Sequence, residues 1–168
     1  MCCTSKSKLL IIFSFIFLLA GCGGSSDNNT ITNEAKTKLT RINFRDDNLK
    51  QCVLDTRLEN IEDLKILDCT EKSIESTLGI EQLTALNILN LGDNELTDID
   101  VSKNTTLVAL FLNKNQLTNI DVSNNTSLAV LHLDNNQLIS IDLTNNENIK
   151  TLTIDVDVIC SGNVCPGQ

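Results

Sequence analysis

Leu86-Asn87-Ile88-Leu89-Asn90-Leu91-Gly92-Asp93-Asn94-Glu95-Leu96 decides the fold, because the chain writes it twice more. It returns as Leu107-Val108-Ala109-Leu110-Phe111-Leu112-Asn113-Lys114-Asn115-Gln116-Leu117, and again as Leu128-Ala129-Val130-Leu131-His132-Leu133-Asp134-Asn135-Asn136-Gln137-Leu138. The leading leucine stands at 86, 107 and 128, a period of 21 residues, and Ile149 carries the series one step further. Repetition at a fixed period of this size indicates stacked coils. Leu89-x-Leu91 has the two-residue period of a strand, so both leucines face one side and Asn90 the other. One strand cannot bury its leucine face alone. Stacking the next coil on it does so, and the strands then form a parallel sheet about 4.8 Å apart.

Leu86, Leu96, Ile99 and Val101 line the rest of a coil's interior, with Leu107, Leu117, Ile120 and Val122, then Leu128, Leu138, Ile141 and Leu143, as counterparts. Each such side chain contributes roughly 1.5–3 kcal/mol when buried. Asn94, Asn115 and Asn136 stand where the chain turns out of the strand. An asparagine amide offers two donors and an acceptor, enough to satisfy its own turn and the coil beside it.

The spacing L-x-x-L-x-L-x-x-N-x-L resembles the leucine-rich repeat family. Leu64-x-x-Leu67-x-Cys69-x-x-Lys72-x-Ile74 is an earlier copy, with Cys for Leu and Lys for the ladder Asn, 22 residues before Leu86. Leu78-Gly79-Ile80-Glu81-Gln82-Leu83-Thr84-Ala85-Leu86 is similar to the 22-residue repeats of internalins. The resemblance covers 64–159. It implies an α/β repeat solenoid: a short horseshoe with a parallel β-sheet on its concave face, an N-terminal helical cap and a C-terminal disulfide hook. The asparagine ladder at 94, 115 and 136 is usual in such proteins. The resemblance does not reach the other domains of internalins, so an invasion role does not carry over.

Ahead of the repeats, Lys6 and Lys8 precede a short apolar run ending in Leu19-Ala20-Gly21-Cys22. A basic start, an apolar core and small residues describe an export signal. The core is shorter than the roughly 20 residues of a membrane-spanning helix. Leu-Ala-Gly-Cys resembles the bacterial lipoprotein signal, which implies removal of 1–21 and acylation of Cys22; a plain secretory signal with a chance cysteine is the alternative. Gly23 resembles the outer-membrane class of Gram-negative lipoproteins. The small polar residues that follow read as a flexible tether over 22–40. In 41–63, Leu49, Cys52 and Val53 share one helical face, and Asp47 or Asn48 is expected to cap that helix. A cap belongs here, since the first coil would otherwise show its apolar face to water. Residues 160–168 form the C-terminal cap.

The whole chain carries a net charge of −9. Loss of 1–21 removes Lys6 and Lys8 and no acid, leaving −11. That disfavours nucleic acid and anionic lipid surfaces, so membrane attachment falls to the acyl chains on Cys22. Cys52, Cys69, Cys160 and Cys165 then remain, an even number for an oxidising compartment. Three pairings are possible. Cys52–Cys69 and Cys160–Cys165 is the expected one, since each pair sits at one end of the rod. A metal would need all four ligands near one point.

No catalytic constellation or cofactor motif emerges. His132 is the one histidine, and Asp134 lies on its face, but no nucleophile accompanies them. Asp100, Asp121 and Asp142 repeat in register, followed by Asn104, Asn125 and Asn146. The Asp row is read as turn chemistry, with a cation row as the alternative. The outward columns are Ile66, Ile88, Ala109, Val130 and Thr151; Asp68, Asn90, Phe111, His132 and Thr153; and Thr70, Gly92, Asn113, Asp134 and Asp155. Of these, Ile88, Asn90, Ala109, Phe111, Asn113, Val130, His132, Asp134 and Thr153 are the candidate binding residues. An apolar line beside Phe111, edged by acids, suits a neutral or basic protein partner. The expectation is a lipid-anchored binding module of the bacterial envelope, on the outer membrane of a Gram-negative cell. The alternative is a structural or glycan-contacting envelope protein.

Overall fold

The computed structural model describes residues 38–165. The expected export signal, the acylation site at Cys22, the tether up to residue 37 and the last three residues lie outside that range. The described elements are helix α1 (Asp47–Asp55), three short 3-10 helices (Leu39–Arg41, Ile61–Asp63 and Ile80–Gln82) and seven three-residue strands: β1 (Ile66–Asp68), β2 (Ile88–Asn90), β3 (Ala109–Phe111), β4 (Val130–His132), β5 (Ser140–Asp142), β6 (Thr151–Thr153) and β7 (Ile159–Ser161). The first four strands and β6 form one parallel sheet in the order β1-β2-β3-β4-β6. Ile66 aligns with Ile88, then Ala109, Val130 and Thr151. The 22-residue step followed by 21-residue steps is therefore the pairing register itself. The chain is a leucine-rich-repeat solenoid of five coils.

Leu67, Leu89, Leu110 and Leu131, the central inward residues of the first four coils, are 0–1% exposed. The strands are short because the chain bends soon after them. Glu71, Asp93, Lys114 and Asn135 each take a left-handed conformation at φ +54° to +59°. That costs an L-residue about 1–2 kcal/mol, and of the four only Asp93 and Asn135 are types that tolerate it well.

The N-terminal cap differs from expectation in two details. The helix is capped by Asp46, not Asp47 or Asn48: its Oδ1 accepts from the Asn48 and Leu49 N–H groups at 2.9 and 3.0 Å. All three residues suit a cap chemically, so the choice among them is made by the surrounding structure. The Asp46 Oδ2 also accepts from Glu75 and Ser76 of the first coil, so one carboxylate holds helix to solenoid. The cap also starts earlier than 41. Lys38 bridges Asn60 and Leu39 is 1% exposed, since the first helix face needs an apolar neighbour. Leu49, Cys52 and Val53 are buried as the helical spacing requires.

Both disulfides pair as expected, Cys52–Cys69 and Cys160–Cys165. The hook holds more order than a loop: β7 pairs in parallel with β5 and forms a second sheet. Gly162 at φ +118° lies against the Leu143 backbone, where a Cβ would approach within 2.7 Å.

Candidate binding face

Three side-chain networks position the concave face. The first is the asparagine ladder. Asn94 Oδ1 accepts from Lys72 and Ile74 N–H, and its amide donates to Cys69 and Leu91 carbonyls. Asn115 repeats this between the Leu96 N–H and the Leu91 and Leu112 carbonyls. Asn136 does so between the Leu117 N–H and the Leu112 and Leu133 carbonyls. Each rung ties two coils and fixes where the next strand begins. Asp157 stands at the next rung position but is exposed. The backbone at Asn135 and Asn136 is bound instead by the carboxylate of Asp155, at 2.8 and 3.1 Å.

A second ladder on the far side was visible only as a spacing. Asn104, Asn125 and Asn146 are 0% exposed, and each donates to two carbonyls of the preceding coil. Their 21-residue register was the available signal, and their exposed neighbours hid it.

The row Asp100, Asp121 and Asp142 is the third network. Each carboxylate accepts from the N–H two residues on, at Ser102, Ser123 and Thr144. Those hydroxyls and amides hold the three carboxyl pKa values below the ordinary range. This is the turn chemistry expected of Asp-x-Ser/Thr.

On the sheet itself, Phe111 and His132 meet edge to face, with ring centroids 5.0 Å apart and planes at 73°. Register places them side by side on β3 and β4. Thr153 on β6 donates to Asp134 at 2.6 Å, and Asn135 donates to the same carboxylate. The Thr153 hydroxyl, foremost, lowers the Asp134 pKa against the effect of burial. Asp134 is thus oriented by its neighbours and not held by His132. Lys114 pairs with Asp93 at 2.6 Å on the rim. Asn90 accepts from the Gly92 N–H, which fixes that amide two columns from Ile88.

Ile88, Asn90, Phe111, Asn113, Val130, His132, Asp134 and Thr153 are all partly exposed. Ala109 is not: at 8% exposure it is covered by the larger Ile88 and Val130 on either side in register. It shapes a shallow dip in the apolar row and offers little surface of its own. Ile66, 60% exposed, extends that row at one end, and Val108, 42% exposed, flanks it. Val108 was legible only as the residue ahead of a strand.

No sequence family and no curated protein sequence matches the chain. Solved structures do. The functional domain of InlJ from Listeria monocytogenes, which includes a cysteine ladder, is 30% identical with a TM-score of 0.68 over 78% of this chain. An internalin, InlF, from the same organism is 24% identical with a TM-score of 0.58 over 77% of the chain. An internalin C2 of that organism is 24% identical with a TM-score of 0.54 over 56%. The match spans 31%, 48% and 43% of those chains respectively. The fold is therefore the leucine-rich-repeat solenoid seen in internalins, and the chain spans less than half the length of these neighbours.

Proposed function

We propose that the chain is a lipid-anchored protein-binding module of the bacterial envelope that takes its ligand on the concave sheet and catalyses no reaction. One observation carries the reading: a partly exposed aromatic pair, Phe111 and His132, sits mid-sheet beside the apolar row Ile66, Ile88 and Val130. Binding energy concentrates in central aromatic anchors ringed by polar groups. The internalin-type solenoid, whose family typically mediates protein–protein interaction, supports the same reading. Asp68, Asp134 and Asp155 around the pair favour a neutral or basic ligand. Leu19-Ala20-Gly21-Cys22 supports the anchor, and Gly23 an outer-membrane address.

Capture from envelope extract tests this. Phe111→Glu and His132→Glu place a carboxylate at a half-exposed position, so each is expected to abolish capture while leaving the melting temperature nearly unchanged. A ligand retained in full by both variants would rule out the concave face.

A further inference from the structure

The two ends of the solenoid are finished differently. At the N-terminal end, α1 lays Leu49 and Val53 over the first coil, whose Leu67, Cys69 and Ile74 are 0–1% exposed. Among the described residues the C-terminal end has no such cover. Leu152 and Ile154 occupy the positions of Leu131 and Leu133, which are 0% exposed, yet both are only partly buried, and so is Val158. Val156 is fully exposed and Ile159 is 69% exposed. The hook packs on Leu143 and leaves the strand side open. Strand β6 ends its sheet and β7 ends the other, so each presents one edge to whatever lies beyond the last coil. An apolar, hydrogen-bond-ready edge of this kind pairs with another chain unless something blocks it.

We infer that the last coil is an interface with a second copy of the chain, joined tail to tail about a two-fold axis. Head-to-tail stacking is closed off, since α1 occupies the apolar interior at the only other end. A self-complementary end must then meet its own kind, which is the isologous contact of a closed dimer. The charges agree. Lys150 precedes β6 and Asp155 and Asp157 follow it. Antiparallel apposition of two β6 strands brings the cation of each copy to the acids of the other. Parallel apposition would put like charges together. The two concave sheets would run on as one, with both Phe111–His132 pairs facing the same side.

The test is sedimentation equilibrium of the full chain in a density-matched detergent. Wild type is expected to reach twice the monomer mass at micromolar concentration. Val156→Lys, at a fully exposed position, should weaken association at least tenfold with an unchanged circular dichroism melt. Lys150→Glu and Asp157→Lys should each weaken it, and the double variant should regain most of the loss. A monomer at every concentration overturns the inference. A dimer indifferent to all three substitutions overturns it equally, since the contact then lies elsewhere.

Discussion

Asp46 does with one side chain what the fold needs at the join of helix and solenoid. Burial raises its pKa, but four backbone N–H groups, from Leu49, Glu75, Ser76 and Asn48, outweigh that and leave it below the ordinary carboxylate value. A carboxyl depressed in the folded state stabilises fully above its unfolded pKa of about 3.9 and loses that contribution as pH falls through the lower folded value. Asp46→Ala should cost about 1–2 kcal/mol at neutral pH, from the lost cap. The cost should fade as pH falls below that value, so melts of wild type and variant should converge in acid. Parallel curves down to the lowest pH would show that the charge is immaterial. The sequence pointed to the cap region but not to Asp46, because Asp46, Asp47 and Asn48 share the same chemistry. What separates them is a contact with Glu75 and Ser76, nearly thirty residues away, which no local pattern encodes.

Among the elements, α1 depends on the disulfide Cys52–Cys69, which joins its buried face to the sixth residue of the first coil's motif. The bridge closes a separation of 17 residues, for which loop entropy gives about 3 kcal/mol. Cys52→Ala with Cys69→Ala should lower stability by about that amount, and hydrogen exchange should quicken first in α1 and β1 and later in β4. Uniform quickening would mean the solenoid unfolds as a single unit. The register of the first sheet was legible to the residue, because the period and Leu-x-Leu fix both alignment and facing. The second sheet was not. Val158-Ile159-Cys160-Ser161 is a short β-branched run without a repeat partner, and its pairing with Ser140–Asp142 crosses a whole coil. The burial of Ala109 was hidden for the opposite reason: alternation gives its direction correctly, but the bulk of Ile88 and Val130 decides its exposure.

Across the whole solenoid, each interior coil meets its neighbours through equivalent contacts. Asn115 and Asn136 use equivalent carbonyls, and Asn125 and Asn146 do the same behind them. Deleting residues 107–127, one full period, should therefore give a folded protein with four coils, with both asparagine ladders rejoined and both disulfides formed. Its circular dichroism and thiol count check this. The fold's legibility lies here, in a period that sequence and structure share. The binding face is less legible, because the outward positions are the ones the period leaves free.

The carboxylate of Asp155 occupies the place where the amide groups at Asn135 and Asn136 would otherwise find another coil's backbone. It acts as a stop signal written in side-chain chemistry. A mutation that merely copied coils upstream of it would lengthen the protein without touching its finish. The span of the concave face is thus a quantity that gene duplication can adjust in whole steps, like links added to a chain whose clasp is already made.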